Sequence, residues 1–143
     1  MFINKLQEED TLKMDEIYEG RRKFPRVKLD ATMMIRTVDG NLTEAKMNNI
    51  SMDGAQITCD KETAKLILPK STSIVDKQQP VVNTVFELEV DEKKHKLEIE
   101  CKIYYVVSLD GKSVAFGLLF EDFDSNQGEV IDQFIMKTME EYH

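Results

Sequence analysis

The sequence predicts a mainly β fold: a six-stranded antiparallel β-barrel, closed or split, with one C-terminal α-helix and a short, partly helical N-terminal arm. Apolar and polar residues alternate through several short segments, and turn signals such as Asp39-Gly40 and Asp110-Gly111 separate them. No helical pattern is interleaved with these segments, which favours antiparallel rather than parallel pairing. The 143 residues fit one domain. We divide the chain into an acidic arm, residues 1–19, and a domain, residues 20–143.

The elements can be predicted in order from the N-terminus. Residues 1–19 are polar and acidic, and their apolar residues fit a helix only in part. Pro25 lacks a backbone donor and disfavours helix at Phe24, so the basic segment around it should enter the first strand extended or looped. The first strand has apolar residues at every second position, which are Val27, Leu29, Ala31, Met33 and Ile35.

Two further strands are predicted around a second turn. They cover residues 43–48 and 55–59, and Asp53-Gly54 lies between them. The segment that follows, residues 60–83, contains two prolines and a tract rich in serine and threonine. Its role is unassigned.

The strongest alternation lies in the second half of the chain. Phe86, Leu88 and Val90 share one face, and a hairpin across residues 91–94 leads to a strand with a second apolar face. That second face comprises Leu97, Ile99, Cys101, Ile103, Tyr105 and Val107. The last strand has Val114, Phe116, Leu118 and Phe120. Three- and four-residue spacing then predicts an amphipathic helix over about 129–142, marked by Ile131, Phe134, Ile135, Thr138, Met139 and Tyr142.

Charge and composition restrict the function. The net charge of −8 argues against general binding to nucleic acid, which depends on many basic residues. Residues 21–28 are nevertheless basic and contain no acid. They suggest a small anionic ligand. A solvated basic segment before the first strand, or a patch that binds phosphate without specificity, would have the same sequence pattern. Without a stretch of about 18 apolar residues or a signal sequence, we expect a cytoplasmic protein that is not integral to a membrane.

Two short motifs are the best candidates for a binding site. Arg22 and Arg26 are four residues apart, and Asn49-x-Ser51-x-x-Gly54 follows after one strand. The guanidinium fork suits both phosphate oxygens and the O6/N7 edge of guanine. The first motif therefore makes a plausible clamp for an anionic purine nucleotide.

In their order and separation, the two motifs resemble the signatures of the PilZ domain family, Arg-x-x-x-Arg and Asp/Asn-x-Ser-x-x-Gly. The resemblance covers roughly residues 20 to 142 and implies a PilZ-type barrel that binds the bacterial messenger cyclic di-GMP, with no other cofactor. It implies that Arg22 and Arg26 reach phosphate and a guanine edge, and that Asn49 and Ser51 contact guanine or ribose-phosphate. Gly54 would allow the turn and keep the approach open.

The resemblance also suggests how the ligand acts. Arginine at the place of Arg21 often accompanies an intercalated dimer of the messenger, so we expect two ligands per chain; the alternative is a surface salt bridge with Glu19. Ligand binding should order the loop 21–26, reposition the arm and regulate an unidentified protein partner in motility, exopolysaccharide or biofilm machinery. The other reading is a PilZ-like interaction module that binds no nucleotide. The sequence leaves open whether the chain is a monomer or a homodimer.

Enzymatic chemistry has little support. His95 lies at a hairpin turn, His143 is the last residue, and neither is placed as a general base. Cys59 and Cys101 lack zinc-ligand spacing and fit reduced core residues. Ser51 has no predicted base partner. We therefore expect neither an enzyme nor a metal site.

Overall fold

A computed structural model of the protein describes residues 24–37, 39–69 and 80–141. The predicted arm, Arg21, Arg22 and Tyr142 lie outside the described residues. The strands within them are β1 (Val27–Arg36), β2 (Leu42–Ile50), β3 (Gly54–Asp60), β4 (Val81–Val90), β5 (Lys93–Ser108) and β6 (Ser113–Asp122). The helices within them are α1 (Lys61–Ile67) and α2 (Ser125–Glu141).

The six strands form a closed antiparallel barrel in the order β1-β2-β3-β6-β5-β4. The predicted fold is thus confirmed, and closure pairs β1 with β4 so that neither remains an open edge. Alternating strand side chains point inward and make the core together with apolar residues of the helices. Its largest fully buried members are Met33, Ile35, Met47, Ile50, Ile57, Phe86, Leu88, Leu97, Ile103, Phe116, Leu118 and Ile131.

The β4–β5 hairpin differs from the prediction in two details. Phe86 pairs directly with Leu97, so the two apolar faces predicted for these strands are one face, and both line the barrel interior. The turn contains only Asp91 and Glu92, at φ 53° and 66°, as a type I′ turn requires. The two lysines that follow belong to β5.

A β-bulge interrupts the alternation of β5. The pairing with β6 shifts between Ile103 and Tyr105, so that Gly117 is opposite Tyr105 and Phe116 is opposite Val106. After the shift Val106 packs against the core, whereas the Tyr104 side chain is 36% exposed. The prediction that Tyr105 and Val107 continue the face of Ile103 is therefore wrong, because a bulge re-aims the side chains that follow it.

The unassigned segment after β3 begins with a short helix. The Asp60 carboxylate caps α1 by accepting a hydrogen bond from the Thr63 backbone N–H at 2.8 Å, and this bond lowers the pKa of Asp60. Ile67 buries one side of α1 against the barrel. Residues 70–79 lie outside the described part of the chain, and β4 begins at Val81.

Helix α2 begins at Ser125, earlier than the predicted residue 129. Asp124 and Gln127 form a capping box: the Asp124 carboxylate accepts from the Gln127 N–H at 2.8 Å, and the Gln127 side chain accepts from the Asp124 N–H at 3.3 Å. Ile131 and Ile135 are buried, as the predicted stripe requires, but Met139 of the same stripe is 38% exposed, because the last turns of α2 pack less closely on the barrel. Neither helix in the described part of the chain is long and apolar enough to cross a membrane.

Candidate functional site

The second motif forms the turn between β2 and β3. The Ser51 N–H donates to the Gly54 carbonyl at 2.8 Å, and the Ser51 hydroxyl donates to the Asp53 carboxylate while accepting from the Asp53 N–H at 3.3 Å. Ser51 is 3% exposed. Its hydroxyl therefore stabilises the turn, and the ligand contact expected of Ser51 stays a prediction.

Gly54 is needed because two strands approach closely. A Cβ atom built on Gly54 would lie 2.0 Å from the Leu118 carbonyl oxygen of β6, closer than real Cβ contacts occur. The backbone of β6 therefore excludes a side chain at Gly54, whereas the expectation that Gly54 keeps the approach of the ligand open stays a prediction. The φ angle of Gly54 is not in the left-handed region, so the constraint is space.

The structure brings four of the six predicted site residues to one shallow cleft. Arg26, half-buried just before β1, lines it together with Asn49, Ser51 and Gly54. The cavity itself has a volume of only about 30 Å³. Any ligand larger than a water molecule or two must lie over the cleft rather than inside it. The other two predicted residues, arginines 21 and 22, precede the described residues.

Other residues lining the cleft were missing from the sequence-based site. They are Asp53, Ala55, Gln56, Tyr104, Tyr105, Leu118 and Leu119. The two tyrosines were missed because alternation assigned Tyr105 to the core, and only the bulge in β5 places both rings here. The rings pack edge to face, with centroids 4.8 Å apart and planes at 81°.

Gly117 of β6 makes space for the tyrosine pair. A Cβ atom on Gly117 would lie 2.1 Å from the Tyr105 ring and 2.7 Å from the Tyr104 ring. The missing side chain lets the Tyr105 hydroxyl reach Gln56 on β3, where it accepts a hydrogen bond from Nε2 at 2.8 Å. Gln56 in turn accepts from Asn49 Nδ2 at 3.3 Å.

The cleft presents side chains of the kinds that bind polar ligands. Its polar side chains carry a guanidinium, two carboxamides, two phenols, the Ser51 hydroxyl and the Asp53 carboxylate. The guanidinium suits negative charge, whereas the carboxamides and phenols suit base edges and ring faces. The Ser51 hydroxyl and the Asp53 carboxylate bond to each other within the turn. Among the described residues no three histidine, cysteine, aspartate or glutamate side chains are grouped as metal ligands. Burial raises the pKa of Cys59 to about 11 and that of Cys101 to about 12, so both thiols are poor nucleophiles at neutral pH.

Comparison with known sequences gives one family. The sequence model of the PilZ domain matches residues 20–137, which is most of the chain. A sequence search of curated proteins found no match.

Comparison with solved structures gives similar folds at low identity. The inhibitor of motility MotI/DgrA from Bacillus subtilis aligns with a TM-score of 0.64 and 13% identity, covering 86% of this chain and 54% of MotI. The PilZ domain of YcgR from Escherichia coli, solved with c-di-GMP, aligns with a TM-score of 0.60 and 9% identity, covering 85% and 94%. The K. pneumonia MrkH–c-di-GMP complex aligns at 0.64 and 16%, covering 85% and 53%. The chain thus spans about half the length of MotI and MrkH, and these likenesses establish the fold.

Proposed function

The chain belongs to the PilZ domain family, and from this premise we propose that it is a cytoplasmic bacterial receptor for cyclic di-GMP that regulates a protein partner. The observation that supports the proposal best is that Arg26 and the Asn49–Gly54 turn line the same cleft. These groups come from both signature motifs. The cleft therefore offers a cation and a base-reading amide side by side.

The chemistry of the messenger matches these groups. Cyclic di-GMP has two phosphates and two guanines, so a receptor needs cationic donors for the first and edge-reading groups for the second. Arg26 supplies a guanidinium and Asn49 a carboxamide. We assign the remaining cationic contacts of the ligand to Arg21 and Arg22, which precede Arg26 in the chain. The YcgR domain and MrkH, which have similar folds, were solved with this ligand.

Isothermal titration calorimetry with cyclic di-GMP tests the proposal. Arg26→Ala should weaken binding by about 1.5–3 kcal/mol, or roughly ten- to a hundredfold, because a charged hydrogen-bond donor is lost. Arg36→Ala is the matched control, since Arg36 is exposed at the other end of β1 and does not line the cleft. If folded wild-type protein takes up no cyclic di-GMP at micromolar concentration, the proposal fails and the interaction-module reading replaces it.

We further propose that two messengers bind as an intercalated dimer, with Arg21 against the stacked guanines. Calorimetry should give two ligands per chain for the wild type and one for Arg21→Ala. An unchanged stoichiometry would remove the dimer and leave the salt bridge with Glu19 as the role of Arg21.

The output of the receptor is proposed to be a conformational change read by another protein. Hydrogen exchange over residues 21–26 should slow at saturating cyclic di-GMP, and a pull-down with and without ligand should differ in the captured partner. Exposed apolar residues on α2, Met136 and Met139, give one surface for such a contact. Equal exchange in both states would show that the loop does not transmit binding.

A further inference from the structure

Three polar side chains form a continuous row across four strands on the outside of the barrel. Asn49 of β2 pairs with Gln56 of β3, Gln56 pairs with Gly117 of β6, and Gly117 pairs with Tyr105 of β5. All four residues are therefore at one height in the sheet. Hydrogen bonds join the three side chains: Gln56 Nε2 donates to the Tyr105 hydroxyl at 2.8 Å, and Asn49 Nδ2 donates to Gln56 Oε1 at 3.3 Å.

Local irregularities make this row possible. The pairing of β2 with β3 shifts between Met47 and Asn49, immediately before the row begins. The pairing of β5 with β6 shifts between Ile103 and Tyr105. At the third position of the row Gly117 has no side chain, so the Tyr105 ring lies across it and reaches the next strand. Bulges of this kind re-aim side chains and are frequent beside binding sites.

The row fixes which end of the Asn49 amide is engaged. Gln56 uses its NH₂ group on Tyr105, so its oxygen faces Asn49 and accepts from the Asn49 NH₂ group. One N–H of the Asn49 amide is thereby engaged, which orients the group and leaves Oδ1 as the acceptor that it offers to a ligand. An aspartate, the other residue of the family motif, would present two acceptors without such help, whereas an asparagine has one acceptor and must be oriented.

We propose that Gln56 and Tyr105 are positioning residues that make Asn49 selective for guanine. Held in this way, Asn49 Oδ1 accepts a hydrogen bond from the exocyclic N2 amino group of guanine, a donor that adenine and hypoxanthine lack. A released Asn49 would rotate and offer its NH₂ group to either kind of base. This inference rests on the proposed binding of cyclic di-GMP.

The test is the ratio of affinities for cyclic di-GMP and cyclic di-IMP, which lacks only the N2 amino groups. Wild type should prefer cyclic di-GMP, and Gln56→Leu and Tyr105→Phe should each lower this preference roughly three- to tenfold, the equivalent of about one hydrogen bond. Thr58→Val is the matched control on β3. It removes the neighbouring cross-strand bond from Asn48 Nδ2 to Thr58 Oγ1, 3.1 Å, which lies outside the cleft.

Two conservative variants separate positioning from general damage. Gln56→Glu keeps an acceptor facing Asn49 and lets the Tyr105 hydroxyl donate, so the ratio should be retained while both affinities fall from the added charge. Adding Asn49→Asp to Gln56→Leu should restore the ratio, because either carboxylate oxygen accepts from N2. If Gln56→Leu does not fold, Tyr105→Phe, which removes one oxygen atom, gives the same test.

The outcomes distinguish the two proposals. If wild type binds cyclic di-GMP but the ratio is unchanged in Gln56→Leu and Tyr105→Phe, positioning is refuted and the receptor function stands. A wild type that does not discriminate the two ligands refutes positioning as well. A loss of the ratio in Gln56→Glu refutes the assigned direction of the hydrogen bonds. Absence of binding to both ligands overturns the receptor function and this inference together.

Discussion

Replacing Gly54 with alanine should destabilise the barrel and the candidate site at once. The new Cβ would lie 2.0 Å from the Leu118 carbonyl oxygen, and real Cβ contacts under 3.0 Å essentially do not occur. The obstacle is backbone in a paired strand, with seven residue pairs joining β3 to β6. No side-chain rotation relieves it, so the strands must separate by about 1 Å.

The size of the effect follows from the hydrogen bonds beside Gly54. The Phe120 N–H donates to the Asp53 carbonyl at 2.9 Å, and a separation of about 1 Å takes this bond beyond the usual range. Losing one such bond costs about 1 kcal/mol, and overpacking costs about 1–3 kcal/mol more. We expect Gly54→Ala to lower the free energy of unfolding by about 2–4 kcal/mol, a large part of the total for a domain.

Urea denaturation measures the free energy of unfolding of Gly54→Ala, and Gly117→Ala is the matched comparison. There the new Cβ would lie 2.1 Å from the Tyr105 ring, a nearly equal overlap, but the obstacle is a side chain that can rotate away. Gly117→Ala should therefore cost clearly less stability, while breaking the Gln56–Tyr105 hydrogen bond. The reasoning is refuted if Gly54→Ala unfolds within about 0.5 kcal/mol of wild type, or if Gly117→Ala is the more destabilised of the two.

Three further predictions concern the turn, the thiols and the cap. Glu92→Gly should raise the free energy of unfolding by about 0.5–1 kcal/mol, because Glu92 has φ 66° and glycine adopts that region without a Cβ penalty; urea midpoints below wild type would contradict this. Cys59 and Cys101 should react slowly with iodoacetamide at pH 8, because burial raises their pKa values to about 11 and about 12; equal rates for native and urea-unfolded protein would exclude it. The pKa of Asp60 is lowered by hydrogen bonds from Thr63, so its stabilising effect is present above the unfolded pKa and is lost as pH falls below about 4. Asp60→Asn, which still caps α1 but does not titrate, should lose less stability than wild type on acidification, and equal losses would contradict the cause.

Most of the barrel could be predicted because its signals are local. Alternation in β1, β4 and the first part of β5 depends on residues two apart, and turns such as Asp39-Gly40 and Asp110-Gly111 depend on one glycine at positive φ. Helix α1 was missed because seven residues are too few for a recognisable apolar period. The start of α2 was predicted too late because its first turn, Ser125 to Gly128, has no apolar residue and is fixed instead by the Asp124–Gln127 capping box.

The candidate site was predictable only where its residues are close in sequence. Asn49, Ser51 and Gly54 belong to one turn, so a motif can identify them. The contact between Gln56 and Tyr105 joins residues 49 apart and depends on the register of three strands. A bulge sets that register, and bulges arise from pairing with a neighbouring strand rather than from the local pattern. This is why Tyr105 was assigned to the core.

The two faces of the strands separate the core of the barrel from the candidate site. Inward side chains such as Ile57 and Phe116 make the core, whereas Gln56 and Tyr105 form the outward row, so the row can be changed without creating a cavity in the core. Gly54 is the exception, because it belongs to the turn that lines the cleft and also packs against the backbone of β6 in the barrel wall. A ligand held at this turn would restrain the pairing of β3 with β6, because Gly54 belongs both to the turn and to the paired part of β3. Hydrogen exchange in β3 and β6 should therefore slow on binding more than exchange in β4, which contributes no residue to the cleft.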